Sequence, residues 1–230
     1  MRTAKTQRLT VTAVLLALST VLALVSALVP FLHLPMGGNF TLASMLPVVV
    51  ISYMFGVGWG LFAAFTYSVI QIVMDLCMGL SGSVILALFL PQSDDYMGAL
   101  AAVSILVLDY LVAYSVLGLG GVFRGRVKSK TAALVCGALV AVGARYLVHV
   151  LSGYIFYGAW AEWFFSQEGW FQGFGAWLLA RLDGGALALV YSFFYNGLYM
   201  IPEMVVTALV AVPISRIARI RREEPLKKGN

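Results

Sequence analysis

The chain has 230 residues, 61% of them apolar and only 11% charged, with a mean hydropathy of +0.93. A water-soluble domain is about half apolar and about a quarter charged, so this chain could not cover itself with polar surface in water, and lipid must be its solvent. The net charge of +5 would suit nucleic acid if it covered a face, but every basic residue except Arg145 and Arg181 falls in three short segments. That pattern points to juxtamembrane positions and away from nucleic acid.

The apolar runs are continuous rather than alternating, which favours α-helices over a transmembrane barrel. At about 20 residues per crossing, the length leaves room for roughly six. The first helix is expected from about Leu9 to Val29, too long for a signal-peptide core and stopped by Pro30. A loop through Leu34-Pro35-Met36-Gly37-Gly38-Asn39 follows. The second helix should cover Leu42 to Phe55 and turn at Gly56-Val57-Gly58, and the third Leu61 to Gly79. A stretch with Pro91, Asp94 and Asp95 leads to a fourth helix from Ala99 to Phe123. The fifth is expected from Thr131 to Tyr157 and the sixth from Ala186 to Ile214. Between them, residues 160–185 carry Trp160, Trp163, Trp170, Trp177, Phe164, Phe165, Phe171 and Phe174, too aromatic for a solvated loop. An interfacial helix on the outer leaflet or a lid would each account for that segment.

The three basic segments set the orientation. They are Arg2, Lys5 and Arg8; then Arg124, Arg126, Lys128 and Lys130; then Arg216, Arg219, Arg221, Arg222, Lys227 and Lys228. The positive-inside rule puts all three in the cytoplasm, so both termini are cytoplasmic and the crossings even in number. The expectation is an all-α integral membrane protein with six transmembrane helices, a single domain over residues 1–230.

Several chemistries have no carrier. No G-x-x-x-x-G-K-[ST] run exists, so the chain has no P-loop for ATP. His33 and His149 are the only histidines and no H-E-x-x-H occurs, which removes a zinc protease and any expected metal. Cys77 and Cys136 fall at different depths, so a disulfide between them is not expected.

Ionisable side chains inside a bilayer usually face a cavity or a partner. Asp75, Asp109, Arg145, His149 and Glu203 lie within predicted helices. Asp109 and Arg145 each stand about 22 Å along their helices from Arg124 and Lys130, Glu203 about 20 Å from Arg216, and His149 and Asn196 about 28 and 30 Å from the basic ends. They form a polar layer past the midplane, toward the outside, which has the character of a ligand site. Arg145 and Glu203 share a depth and read as a structural ion pair. Asp75 could instead sit hydrated at a helix end. His149 lies one turn above Arg145 on the same face. Asp109 is flanked by Tyr110 and Tyr114, and one carboxylate with aromatic faces suits an organic cation. On the first helix, Ala13, Ala17, Thr20, Ala23 and Ala27 project into one sector about 120° wide, a small-residue stripe for close helix approach. Spacing alone leaves open whether the stripe meets this protein's own bundle or a partner.

Three stretches resemble the thiamin-specific substrate-binding subunits (S components) of energy-coupling factor (ECF) vitamin transporters. They are Leu108-Asp109-Tyr110-Leu111-Val112-Ala113, Arg145-Tyr146-Leu147-Val148-His149 through Ser152-Gly153, and Tyr191-Ser192-Phe193-Phe194-Tyr195-Asn196-Gly197 through Pro202-Glu203. Gly37-Gly38-Asn39-Phe40 to Met45-Leu46-Pro47 is similar to the family's first loop and second helix. The resemblance implies a six-helix S component that catalyses nothing, needs no cofactor, captures thiamin outside, and docks on a transmembrane coupling subunit carrying two ATPase subunits, which alone use ATP. It implies pocket roles for His149, Tyr191 and Asn196. The family's pocket carboxylate, usually Glu, falls on Asp109, with Tyr110 beside it, and the Trp following the His falls on Tyr157. The first-loop Trp has no placed counterpart, and the segment from His149 to Tyr191 is longer than the family's. The docking face that the family carries on its first helix falls on Ala13 and Ala17. Alternatives are an S component for riboflavin or a thiamin precursor, an intramembrane hydrolase using Asp109 or Asp75 with His149, and a stand-alone carrier. No similarity between residues 1–123 and 124–230 supports the carrier.

Overall fold

The structure is a computed structural model that describes residues 2–32, 40–78, 84–93, 96–169 and 171–217. His33, the loop from Leu34 to Asn39, Gly79, Asp94, Asp95, Trp170 and the basic residues from Arg219 onward lie outside the described residues.

Regular structure among the described residues is helical throughout. Helix α1 runs Arg2–Ala27, α2 Leu46–Phe55, α3 Val57–Met78 and α4 Val84–Phe89. Helix α5 occupies Ala99–Gly121 and α6 Lys130–Phe156. Two short helices, α7 (Ala161–Ser166) and α8 (Gln172–Leu179), precede α9 (Gly184–Ile214). Helices α1, α3, α5, α6 and α9 are each long and apolar enough to cross a bilayer. Their outer faces carry exposed leucines such as Leu100, Leu147 and Leu209, as expected where lipid is the solvent.

Helices stand at all six predicted positions, but the second is short. It starts at Leu46 rather than Leu42, because Ala43 takes a positive φ of 57° and Thr41 Oγ1 meets Ser44 Oγ at 2.7 Å in a turn. The Leu42 amide is tied instead to Ser26 Oγ of α1 at 3.0 Å. Pro47 in the first turn supplies a helix start, since its missing N–H has no intrahelical partner there. Ten residues rise about 15 Å, roughly half a hydrocarbon core. Gly56, at φ 90°, is the single residue separating α2 from α3.

At the end of the bundle that carries Arg124, Arg126 and Lys128, helix backbones touch. A Cβ on Gly118 of α5 would strike the backbone of Gly60 and Leu61 of α3, and one on Gly137 of α6 would strike the Gly120 carbonyl. Helix α5 tightens here to 3-10 geometry over Val116–Gly121. The fully buried Ser52 of α2 answers the backbone groups this leaves: its hydroxyl donates to the Gly118 carbonyl (2.5 Å) and accepts from the Gly121 amide (2.9 Å). Arg124 donates from Nη1 to the Met54 carbonyl. Ser129 caps α6, its hydroxyl accepting from the Ala132 amide at 3.2 Å.

The segment between α6 and α9 folds into a hairpin of α7 and α8. Gly175 lies against the Phe165 carbonyl, and Phe165 is almost fully buried. Its rings pack on Phe194 near the start of α9, so the hairpin is part of the core.

Candidate functional site

At the opposite end, hydrogen-bonded side chains stand between α5 and α6, with α9 packed closely on α6. Helix α5 changes to π geometry over Leu106–Val112, with Asp109 in its first turn. Such widened turns are common at functional sites because they re-aim side chains that an α-helix would point elsewhere. Here the turn delivers Asp109 to α6. Asp109 Oδ1 lies 3.0 Å from His149 Nδ1, and Oδ2 accepts from Ser152 Oγ at 2.9 Å. Arg145, His149 and Ser152 recur at four- and three-residue spacing and so share one face of α6.

Arg145 determines the histidine's tautomer. Its Nε donates to His149 Nε2 at 3.2 Å, so Nε2 holds the lone pair and Nδ1 carries the proton given to Asp109. The Arg145 guanidinium lies 4.0 Å over the Tyr114 ring, and Nη1 meets Met45 Sδ at 3.2 Å. A buried cation is thus linked to a carboxylate through one neutral imidazole. Each Asp109 oxygen takes one hydrogen bond from the protein, leaving an acceptor direction on each. The Asp109 and His149 side chains are 18% and 11% exposed.

This arrangement does not suit a hydrolase. Ser152 gives its proton to the carboxylate, and the imidazole lone pair is taken by Arg145. No base is aimed at a nucleophile, which a Ser-His pair requires. Among the described residues no group of three or more His, Cys, Asp or Glu could hold a metal ion, and Cys77 and Cys136 are free thiols.

Helix α9 closes the site. Asn196 Nδ2 donates to the His149 carbonyl (3.2 Å) and the Ser192 carbonyl (2.9 Å), and Oδ1 accepts from Tyr199 OH. Its amide therefore joins α9 to α6 at the level of the histidine. Ser192 Oγ donates to the Val150 carbonyl at 2.7 Å, and Gly153 leaves room for both Ser192 and Asn196. Tyr191 stacks on Tyr195 at 5.7 Å. Tyr110 pairs with Tyr114 at 6.4 Å. Tyr157 ends α6 and packs against the small cluster of Leu88, Ala102 and Ile105. Asp75, near the end of α3, accepts from the Ile85 amide at 3.0 Å and so ties α3 to α4.

Arg145 and Glu203, expected as an ion pair, stand within range of each other's charge but make no direct salt bridge. The Arg145 side chain is committed to His149, Met45 and Tyr114, as above. Glu203 Oε2 instead accepts from the Thr41 amide (2.6 Å) and Thr41 Oγ1 (2.9 Å), fastening the chain ahead of α2 to α9. Equal depth along two helices leaves their partners open, and at this level Thr41 comes nearer. Sequence reasoning gave no role to Ser152, Met45, Tyr195 and Tyr199, and it set Tyr114 beside Asp109, whereas its ring carries the Arg145 guanidinium. The signal for the two tyrosines was present: Tyr191, Tyr195 and Tyr199 repeat every four residues and must share a helix face. On α1, Ala13 and Ala17 are exposed while Ala23 is buried, so the alanine stripe changes environment along its length.

With this geometry in place, three likenesses to known proteins are informative. The model of a family described as thiamine transporter protein matches residues 9–105 and 79–169. The thiamine transporter ThiT of Bacillus subtilis (strain 168) is 27% identical over 212 residues, covering 88% of this chain and 87% of its own length. A solved structure of ThiT from Listeria monocytogenes superposes with a TM-score of 0.54 at 20% identity, over 90% of this chain and 95% of that one. That last likeness supports the fold.

Proposed function

The chain belongs to the thiamine transporter protein family, and from that premise we propose that it is a thiamin-specific S component, a multi-pass membrane protein that binds its ligand without chemistry. The observation that carries the reading is Asp109, delivered by a π turn and held on both oxygens by His149 and Ser152. Thiamin is a permanently cationic thiazolium joined to an aminopyrimidine. A carboxylate already oriented by two donors loses little freedom when a cation replaces water beside it, and in a low-dielectric site the charge pair is strengthened.

The remaining side chains divide the work. Tyr110, Tyr157 and Tyr191 offer aromatic faces to the two rings. His149, fixed in one tautomer, orients Asp109, and Asn196 holds α9 against it. Arg145 stabilises the buried carboxylate while no ligand is present, since an unpaired charge at this depth would be costly. The positive-inside rule places Arg124, Arg126 and Lys128 and both termini in the cytoplasm, so the polar layer opens outward.

Transport also needs partners, and the exposed part of the alanine stripe supports that step. Ala13 and Ala17 are small and exposed, so a helix of an ECF coupling subunit, carrying two ATPases, could approach closely at these two positions. The test of function is a titration of purified protein, without ATP or metal, following Trp and Tyr fluorescence. Thiamin is expected to saturate it at one ligand per chain. No response to thiamin beside clear binding of riboflavin would overturn the reading.

A further inference from the structure

Among the described residues, α7 brings the ring of Phe164 to the site. Phe164 is buried, and it meets Tyr191 at 5.4 Å and Tyr195 at 5.8 Å between centroids, both in edge-to-face geometry. From there the rings continue down α9. Tyr191 stacks on Tyr195, Tyr195 meets Tyr199 at 6.2 Å, and Tyr199 meets the His149 imidazole at 6.2 Å. The row therefore runs from the hairpin to the histidine that holds Asp109. Its lower end is pinned, because Tyr199 donates to Asn196 and Asn196 donates to the His149 carbonyl.

The neighbouring Phe165 has a different task. Its carbonyl lies under Gly175, and its ring packs on Phe174 and Phe194, so it holds the hairpin together. Phe164 stacks on Phe171 at 5.3 Å with 19° between planes, which fixes its own tilt. It is thus a rigid ring, aimed at two tyrosines of a site on another helix.

We propose that Phe164 is a positioning residue for the ligand site: it sets the tilt of Tyr191 and Tyr195 and so the width of the aromatic wall that thiamin meets. The proposal rests on the thiamin reading above. An edge-to-face contact orients its partner because the positive ring edge seeks the negative face, and an aliphatic side chain of similar volume supplies no such preference.

The experiment compares Phe164→Leu, Phe164→Tyr and Phe174→Leu with the parent protein, measuring melting temperature and thiamin affinity on each preparation. Phe164→Leu keeps the apolar volume and is expected to bind about fivefold or more weakly with little change in melting temperature. Phe164→Tyr keeps the ring and is expected to stay within about twofold of the parent. Phe174→Leu alters a ring that contacts Phe165, Trp177 and Phe194 but none of the three tyrosines, and is expected to bind as the parent does. On a Tyr191→Ala background, Phe164→Leu should cost less than it does in the parent, as required of a residue acting in part through Tyr191. A parent that binds thiamin beside a Phe164→Leu variant that binds equally well would overturn this inference alone. Weakening that matches a fall in melting temperature, or that adds in full on the Tyr191→Ala background, would also overturn it. A parent that takes up no thiamin would overturn the reading of the site, and this inference with it.

Discussion

Helices α5 and α6 meet twice, and the two meetings are built on opposite terms. At the basic end Gly137 of α6 brings its backbone onto the Gly120 carbonyl of α5, while Gly118 packs on α3 and Ser52 of α2 bonds the Gly118 carbonyl and the Gly121 amide. At the far end, Asp109, Arg145, His149 and Ser152 stand between the same two helices. Removing side chains closes a helix pair, and inserting hydrogen-bonded ones opens it while fixing the width of the opening. The contrast teaches that one end is packed backbone to backbone and the other is spanned by hydrogen-bonded side chains. Damage to one should be read as stability and damage to the other as affinity.

The sharpest way to break that division is to open the closed end. Gly137→Leu would drive a side chain into the Gly120 carbonyl, where backbone must move. Overpacking costs typically 1–3 kcal/mol and more where the neighbour is backbone, so folded protein is expected to be largely lost, as read by the monodisperse fraction in detergent. A stable variant would show that the contact is slack. Next in size is Asp109→Asn, which keeps shape but removes the counter-charge. Thiamin affinity should fall roughly 100-fold with the melting temperature little changed. Binding equal to the parent's would put the carboxylate outside the site.

Ser52→Ala sharpens the comparison from the other side. Leaving the Gly118 carbonyl and Gly121 amide without their shared partner should cost about 1–3 kcal/mol of stability. Thiamin affinity of the folded fraction should not change, and a loss of affinity without a loss of stability would contradict the division. The smallest effect on the purified protein is expected from Ala13→Leu with Ala17→Leu. Both positions are exposed, so melting temperature and affinity should hold, while copurification with the coupling subunit and cellular thiamin uptake should fail. A fall in melting temperature would mean that the stripe packs inside the bundle, and preserved uptake would remove the docking role.

Much of this was legible in the residues, and the gaps have physical causes. Apolar run length placed the five long helices, because a crossing needs a fixed number of residues. The depth of the polar layer followed from the rise per residue, which put His149 and Asn196 about a turn farther out than Asp109 and Arg145. Partnership did not follow, since it depends on rotation and approach as well as depth; Glu203 therefore found Thr41 in place of Arg145. The π turn at Leu106–Val112 has no composition of its own, being a register choice that tertiary contacts decide. The shortness of α2 was hidden because Thr41, Ser44 and Leu42 spend their hydrogen bonds in a turn that hydropathy does not see. The aromatic weight of residues 160–185 was plain, but only the fold brings Phe164 onto Tyr191 and Tyr195.

The most direct test of the central claim is a crystal structure of the protein grown with thiamin. The account predicts one two-ring ligand among α5, α6 and α9, its thiazolium within ion-pair reach of Asp109 and a ring against Tyr110, Tyr157 or Tyr191. Density for the ligand at the glycine-packed end, or on the outer face of the bundle with Asp109 still bonded only to His149 and Ser152, would contradict it.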